Sequence, residues 1–274
     1  MKRLYIFSII LATAILAFAF QTQLRRHIAS PLQTIQGKKT VAQQVNEYGH
    51  QVKERLLPDF QAAGIPYPPA KIILVAIKDE KKLEVWACEL NGKFKLIRTY
   101  PILAASGRLG PKLKEGDYQV PEGLYRIESL NPNSRFHLSV KLNYPNDFDL
   151  AYAKRDGRNN LGGDIMIHGS NVSIGCLAMG DEAAEDIFVL TAQTGTNNTS
   201  VILSPVDFRT TQMPDLPYPL PLWIDTLYGQ IKQELSKLTT DSPFSPLRHL
   251  PAGRQGRQPP NVAVGGTKAP TISP

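Results

Sequence analysis

A histidine and a cysteine lie eight positions apart, at His168 and Cys176, within the stretch 164–179. A thiolate is a strong nucleophile, and an imidazole within hydrogen-bond reach can take the proton from its thiol. Residues 169–171 (Gly-Ser-Asn) favour a turn, so we expect the chain to fold back and bring the thiol toward the imidazole. The pair predicts a cysteine nucleophile activated by a base, with the amides of Gly175 and Cys176 facing a developing oxyanion.

Two structural interpretations of the same residues stay open. Free cysteine is among the most buried residue types, and a histidine at the end of a strand is often only a satisfied core residue. The second cysteine, Cys88, lies in the strand-like run 83–90. A disulfide between Cys88 and Cys176 would remove the nucleophile.

The length and composition allow one large domain with a sizeable core, because 42% of the 274 residues are hydrophobic. The net charge of +7 belongs to the ends of the chain. Of the 31 basic and 24 acidic residues, four basic ones lie in 1–30, and four basic and one acidic lie in 241–274, which leaves 23 of each between. The overall charge is therefore no argument for nucleic acid, and we expect no nucleic-acid partner.

The amino terminus has the pattern of an export signal. Met-Lys-Arg is followed by seventeen uncharged residues, Leu4 to Phe20, and Ala17-Phe-Ala19 is a possible cleavage site. The length is also close to a minimal membrane span. We therefore expect residues 1–26 to be a signal peptide or a membrane anchor that places the remainder outside the cytoplasm, with no other contact to the membrane.

A helical segment is expected next, over residues 27–68. The apolar spacing predicts an amphipathic helix over 40–57 that stops before Pro58, followed by a short helix over 59–63. Strands are predicted at 71–78, 82–90 and 93–101, and Asn91-Gly92 is a strong signal for a type I′ hairpin turn. These elements begin an antiparallel sheet.

The stretch 105–124 is rich in glycine and proline, and we interpret it as a wall of a substrate groove. Strands follow at 124–130 and 134–142, and then a turn-rich stretch at 143–149. The run 164–168 alternates in strand fashion and ends at His168. Arg155 and Arg158 come shortly before this run and are candidates for binding a substrate carboxylate, although such charges usually form a solvated face.

The remaining elements complete the domain. Asp181 is expected to be the N-cap of a helix over 182–191. Residues 201–208 are predicted to be a closing strand, and a further helix is expected over 222–238. The domain therefore spans about 69–208, with a C-terminal helical segment at 209–239. Residues 240–274 are rich in Pro, Gly, Ser and Arg, so we expect a disordered tail.

Several motifs in the same order resemble the YkuD-type L,D-transpeptidase catalytic domain, and most closely its YafK-like branch. The resemblance covers about residues 70–205 and depends on four stretches: 106–117 (SGRLGPKLKEGD), 120–127 (VPEGLYRI), 142–149 (LNYPNDFD) and 167–179 (IHGSNVSIGCLAM). It implies a mainly β fold with flanking helices, that is, a YkuD-like β-sandwich or barrel with an N-terminal and a C-terminal helix.

The resemblance also implies the chemistry and the roles of residues. Cys176 matches the nucleophile, His168 the base, and the Gly169 carbonyl the group that orients the imidazole; Ser173 and Gly175 belong to the same motif and are expected to contribute to substrate binding. The thiolate would attack a peptidoglycan stem peptide and form a thioester with loss of D-alanine. An amine of the diaminopimelate in a second stem would resolve the thioester. The implied location is the periplasm of a Gram-negative-type envelope.

Two positions depart from the broader family pattern. Ile174 stands where a second histidine is common, and Ala178 stands where an arginine is common, so Arg155 or Arg158 is expected to supply the charge. The reaction therefore has two versions. The thioester is resolved by an amine, which gives cross-linking, or by water, which gives an amidase that releases a peptidoglycan-linked lipoprotein.

A third interpretation is a protein of another class, an inactive module that binds the cell wall in the same groove but does not catalyse a reaction. No metal or organic cofactor is expected, because the few His and Cys residues lack ligand spacing.

Overall fold

The computed structural model describes residues 37–90 and 92–238. The expected signal or anchor at 1–26, the tail at 240–274 and Asn91 of the expected hairpin turn lie outside the described residues. No helix within the described residues is both long enough and apolar enough to cross a membrane.

Four α-helices and nine strands occur in the described residues. The helices are α1 (Val41–Ala63), α2 (Asp147–Arg155), α3 (Asp181–Thr194) and α4 (Ile224–Leu235), with a short 3₁₀ helix at Thr196–Asn198. The strands are β1 (Lys71–Ile77), β2 (Lys82–Cys88), β3 (Lys95–Pro101), β4 (Ala104–Ala105), β5 (Gly123–Ser134), β6 (His137–Leu142), β7 (Met166–His168), β8 (Leu177–Ala178) and β9 (Thr199–Ser204).

The strands form one sheet in the order β3-β2-β1-β9-β5-β6-β7-β8-β4. The pairs β1–β9 and β7–β8 are parallel, and the other pairs are antiparallel. The last strand of the described chain is β9, at residues 199–204, where the sequence predicts a closing strand at 201–208, and it lies in the middle of the sheet. Five of its six residues are buried, as a strand covered on both faces requires. The expected mainly β fold with flanking helices is confirmed.

Helix α1 is one continuous helix, so the expected break before Pro58 is wrong. Val52, Leu56 and Phe60 are buried and follow one another at intervals of four residues, so the same helical face continues across the proline. Pro58 itself is exposed, and packing on both sides of it compensates for the hydrogen bond that its ring removes. A capping box at Thr40 and Gln43 begins the helix, and Gly64 ends it in the left-handed conformation.

Helix α2 lies where the sequence favoured turns. Asn146 accepts a hydrogen bond from the backbone amide of Asp149, and the Asp149 carboxylate accepts one from the amide of Asn146, which forms a capping box. The Asn146 amide group also donates to the Leu124 carbonyl, so this motif fastens α2 to β5. The stretch 143–149 therefore contains the start of α2, and its contacts connect α2 to β5.

The two faces of the sheet are covered by different helices. Helices α1 and α3 pack on one face over the larger core, and α4 packs on the other through Leu227, Tyr228, Ile231 and Leu235. Cys88 is buried in β2, and both Cys88 and Cys176 are free, so no disulfide forms. The α1 and α3 side also carries the loop that joins β7 to β8.

Candidate active site

The parallel pair β7–β8 places the histidine and the cysteine on neighbouring segments of the chain. His168 pairs with Ala178, and Ile167 with Leu177. Paired residues of neighbouring strands share a face, so His168 and Ala178 lie on one face, and Cys176 lies in the loop two residues before Ala178. Cys176 is the residue immediately before β8 and is half-buried. The loop of residues 169–176 therefore returns the backbone beside β7, and the approach of the thiol to the imidazole within hydrogen-bond reach stays a prediction.

The imidazole of His168 has a defined tautomer. Its Nδ1 lies 2.6 Å from the carbonyl oxygen of Gly169. A carbonyl can only accept, so Nδ1 carries the proton and donates it. Nε2 is left with its lone pair and has no hydrogen-bond partner among residues 37–90 and 92–238. This nitrogen is the one that can accept a proton from a thiol.

Burial favours the uncharged form of both groups. It lowers the pKa of His168, against the opposing effect of the hydrogen bond to Gly169. It also raises the pKa of the Cys176 thiol, although a hydrogen bond from the Met166 backbone and the charge of Lys112 act in the opposite direction. In the resting state the Cys176 sulfur lies 3.6 Å from the carbonyl oxygen of Asp164. Both shifts favour a neutral thiol and a neutral imidazole, and a reaction of this thiol as a nucleophile would require its deprotonation.

Two serine hydroxyl groups form hydrogen bonds to the backbone of Gly175 and Cys176. Ser173 Oγ accepts from the amide of Cys176 at 3.2 Å and donates to the carbonyl of Cys176 at 2.6 Å. The amide of Gly175 donates to Ser106 Oγ at 2.6 Å, and Gly175 has φ +93°, in the left-handed region that favours glycine. Both amides that the sequence suggested for an oxyanion are thus already paired in this structure, and Ser173 and Gly175 shape the loop.

Gly169 occupies a position with no space for a side chain. A β-carbon added there would lie 2.5 Å from Asp181 Oδ1 and 2.8 Å from the carbonyl oxygen of Phe136. Asp181 is the first residue of α3 and not its N-cap, which is Gly180, so this expectation is wrong. The Asp181 carboxylate instead accepts from the amide of Ser170 at 2.8 Å. Close packing at Gly169 therefore fixes the carbonyl that holds the imidazole.

Alanine at Gly169 is expected to lower the free energy of unfolding by about 1–3 kcal/mol, because the backbone oxygen of Phe136 cannot move aside without shifting β6. Gly163→Ala is the matched control, since a β-carbon at Gly163 meets nothing within 4 Å. The control should stay within about 0.5 kcal/mol of the wild type. Urea unfolding of the two variants measures the difference, and equal stabilities would contradict the steric explanation.

The loop of residues 106–122, which we call the wall, contacts the loop before Cys176; that it forms one side of a substrate groove stays a prediction. Ser106 Oγ donates to the Tyr118 carbonyl at 2.7 Å and accepts from the amide of Gly175. One hydroxyl group therefore joins the wall to the loop of residues 169–176. Lys112 is buried and bonds to Asp117 at 2.5 Å, and its charge acts on Cys176. The wall therefore contacts the loop before Cys176 through a hydrogen bond, and its Lys112 charge acts on the Cys176 thiol.

A buried carboxylate anchors the far end of the wall. Glu122 is completely buried, and its Oε1 accepts from Lys78 Nζ at 2.8 Å and from the amide of Gly110 at 2.7 Å. Its Oε2 accepts from the Tyr228 hydroxyl at 2.8 Å. Since Lys78 lies just after β1 and Tyr228 lies in α4, this one side chain ties the wall to both the sheet and the C-terminal helix.

The two candidate arginines contact other parts of the protein. Arg158 donates to the carbonyl of Leu113 at 2.9 Å and forms an ion pair with Asp156 at 2.8 Å. Arg155 lies over the ring of Tyr152, with 5.0 Å from its guanidinium carbon to the ring centre. Neither bonds to the loop of residues 169–176 in the described structure. Their role in binding a substrate carboxylate stays a prediction.

Some site residues were not singled out from the sequence. Ser106 was quoted only as part of a motif, and its partner Gly175 lies 69 positions away. Phe136 stacks on the His168 ring, and Lys112 acts on the thiol through space. Only the glycine-rich context of Ser106 was a visible signal. No group of three or more His, Cys, Asp or Glu that could hold a metal occurs within residues 37–90 and 92–238.

The fold and the site together define a mainly β domain in which one of two parallel strands ends at His168 and the other begins just after Cys176. Residues 70–206 match the family model YkuD, the L,D-transpeptidase catalytic domain. The match spans half of the chain, and the protein belongs to this family.

The chain is also similar to individual named proteins. The chain is 34% identical over 119 residues to the Escherichia coli (strain K12) protein named Putative L,D-transpeptidase YafK; the match covers 43% of this chain and 46% of that protein. The chain thus spans about half the length of the curated relatives it matches. Helical cell shape determining protein Pgp2 from Campylobacter jejuni is 24% identical, with a TM-score of 0.41 and coverage of 50% of this chain and 48% of that chain. Mycobacterium tuberculosis L,D-transpeptidase 1 is 18% identical, with a TM-score of 0.29 and coverage of 49% and 62%.

Proposed function

We propose that this protein is a cysteine acyltransferase that acts on peptidoglycan stem peptides in the bacterial cell envelope. Cys176 is the nucleophile and His168 the base. The donor is an amide bond at the end of one stem peptide, and the acceptor is the side-chain amine of diaminopimelate in another. The observation that carries the proposal is the tautomer of His168, whose Nδ1 is bound to Gly169 and whose Nε2 is left to accept a proton. Cys176 lies two residues before the residue that pairs with His168.

The first half of the reaction consumes the donor. Nε2 of His168 takes the proton from Cys176, and the thiolate attacks the carbonyl carbon of the scissile amide. The tetrahedral intermediate collapses as the imidazolium gives its proton to the leaving nitrogen, which departs as D-alanine. The acyl group remains on Cys176 as a thioester, and His168 is neutral again.

The second half transfers the acyl group. The acceptor amine attacks the thioester carbonyl and loses a proton to Nε2 of His168, and the thiol then leaves with that proton. Water in place of the amine would give hydrolysis by the same steps. Exclusion of water from the site would favour the amine, and burial of His168 is consistent with a water-poor site.

Two independent observations support the proposal: membership in the family, and the neutral state that burial favours for His168 and Cys176. The family match gives the class of reaction. The raised pKa of Cys176 and the lowered pKa of His168 fit a base that acts during attack and releases its proton to a leaving amine. An envelope location agrees with the pattern of an export signal at residues 1–26.

Mass spectrometry of both the protein and the products tests the proposal. Full-length protein, purified under reducing conditions, is incubated with tetrapeptide muropeptides and, separately, with muropeptides that carry a lipoprotein-derived peptide. We expect an acyl adduct on Cys176 and dimers joined between two diaminopimelates. Cys88→Ser, which removes the other thiol, should keep both signals, while Cys176→Ala should lose them.

Other products would change the conclusion in a defined way. Shortened monomers or a released lipoprotein peptide without dimers would replace the transferase by a hydrolase or amidase. Binding of muropeptides with no Cys176-dependent product would support an inactive wall-binding module and overturn the proposal.

A further inference from the structure

An aromatic side chain from a different part of the sheet lies on the ring of His168. The ring centres of Phe136 and His168 are 4.8 Å apart and their planes differ by 28°, which is a stacked arrangement. Phe136 is 41% exposed although it is a large apolar residue. A half-exposed phenyl ring covering one face of a buried imidazole is placed to restrict the orientation of that imidazole.

Phe136 lies in the turn between β5 and β6, and we call this turn and the adjoining strand ends the hairpin tip (residues 131–137). Helix α1 and the residues before it hold this tip by polar contacts. The Asn133 side chain accepts from the Lys39 amide at 2.9 Å and donates to the Lys39 carbonyl at 2.8 Å. The Gln44 amide group donates to the carbonyl of Pro132 at 2.6 Å. Both contacts fix backbone that lies within four residues of Phe136.

A second set of contacts holds the residue next to Phe136. His137 has φ +69°, a conformation that is unfavourable for a residue with a side chain. Its Nε2 lies 3.0 Å from Glu185 of α3, and its ring meets the ring of Tyr48 of α1 edge to face at 5.3 Å. Glu185 also accepts from Arg55 of α1 at 3.0 Å. These contacts compensate for the unfavourable backbone and set the direction in which Phe136 leaves the tip.

We propose that Phe136 is a positioning residue for His168, and that helix α1 holds Phe136 in place through the hairpin tip. Residues 41–63 lie outside the family match at 70–206, so this assigns a part in the active site to a segment that precedes the catalytic domain. The inference rests on the proposed role of His168 as the base.

Two contacts then define the imidazole. The Nδ1 bond to Gly169 fixes one edge of the ring, and Phe136 covers one face. Without the phenyl ring, the imidazole can tilt about the remaining hydrogen bond and water can reach its face. The tilt moves Nε2 away from the thiol, and the added water stabilises the imidazolium.

The other titratable groups near His168 are already engaged. His137 is paired with Glu185, Asp181 binds the amide of Ser170, and Lys141 of β6 forms an ion pair with Asp164 at 3.0 Å. Cys176 contacts the Asp164 carbonyl. Since each of them keeps its contact when the Phe136 side chain is removed, a changed titration of His168 reports the loss of the phenyl ring.

An NMR titration of the histidines in the full-length protein tests the first part of the proposal, with His168→Ala used to assign the signal among the five histidines. Phe136→Ala should raise the pKa of His168 toward its ordinary value, and Phe136→Tyr should keep the wild-type titration. We also expect kcat/KM on muropeptides to fall about 2- to 10-fold in the alanine variant, the range that a lost aromatic contact predicts. An unchanged titration in Phe136→Ala overturns the proposal. Phe136→Leu gives the same comparison if the alanine variant does not fold.

The part played by α1 has its own comparison. A variant with both Asn133→Ala and Gln44→Ala loses the polar contacts to the tip and should shift the His168 titration in the same direction as Phe136→Ala. Lys53→Ala, on the exposed side of α1, is the matched control and should leave it unchanged. A shift in Phe136→Ala without a shift in the double variant overturns the role of α1. The titration needs no substrate, so it decides this inference even if no muropeptide is turned over, a result that would overturn only the proposed function.

Discussion

Replacing His168 with alanine is expected to lower kcat/KM on muropeptide substrates by about 10²–10⁴-fold, the usual contribution of a general base. The reason lies in the raised pKa of the Cys176 thiol. At neutral pH almost all of this thiol is protonated, and without the imidazole only the small thiolate fraction can attack. His50→Ala is the matched control, because His50 is an exposed histidine of α1, and it should retain wild-type activity.

The dependence on pH should distinguish the two enzymes. In the wild type, burial lowers the pKa of His168, so the imidazole stays neutral and active below its ordinary range, and the rate falls only as pH drops through that lowered pKa. In His168→Ala the rate should rise about tenfold for each pH unit up to the thiol pKa, because the thiolate fraction rises by that factor. Rates measured from pH 5 to pH 9 test this. A His168→Ala variant within threefold of the wild type at pH 7 would remove His168 from the mechanism.

Replacing Glu122 with alanine should lower the free energy of unfolding by about 3–5 kcal/mol, the usual cost of leaving one member of a buried ion pair alone. Glu122 is completely buried and is the carboxylate that faces the Lys78 ammonium, which is itself only 9% exposed. Burial already lowers the pKa of Lys78, which shows how unfavourable this position is for a charge. Removal of the carboxylate also leaves the amide of Gly110 and the hydroxyl of Tyr228 without their acceptor.

Urea unfolding of three variants separates the contributions. Tyr228→Phe keeps the ion pair and removes one hydrogen bond to a charged group, so it should cost about 1–3 kcal/mol. Glu89→Ala removes an exposed carboxylate and should change the free energy of unfolding by less than about 0.5 kcal/mol. A loss below 1 kcal/mol in Glu122→Ala would mean that the wall of the groove is not anchored at this residue.

The local elements could be predicted because their signals are local. Alternating apolar residues predict β1, β2, β3 and β6, helical spacing predicts α1 and α4, and an expected N-cap at Asp181 predicts α3, with errors at their ends and at Pro58. Helix α2 was missed because Asn-Tyr-Pro-Asn-Asp is typical of turns, although Asn146 and Asp149 form a capping box with the spacing of a helix start. The position of β9 could not be predicted, because strand order depends on packing between distant segments and not on the strand itself.

In the candidate site too, contacts between residues close in sequence are easier to predict than contacts between residues far apart. His168 and Cys176 are close in sequence, and the short loop between them is enough to predict that the backbone returns beside β7, as the strand register shows for the adjoining residues 167–168 and 177–178. Glu122 and Phe136 gave no signal, because their partners lie far along the chain: Glu122 binds Tyr228 across 106 positions, and Phe136 stacks on a residue of β7. A glutamate and a phenylalanine in strand-like sequence have many ordinary uses, and only the folded structure distinguishes these.

The separation of the two cysteines has a consequence for oxidative damage. Cys88 is in β2 and Cys176 borders β8, six steps apart across the sheet, and both are free. Cys88 is also buried, so its thiol is not accessible to an oxidised Cys176. The chain has no third cysteine. If an oxidant converts Cys176 to a sulfenic acid, no thiol of the same molecule can resolve it, so recovery of activity requires a reductant supplied from outside the protein.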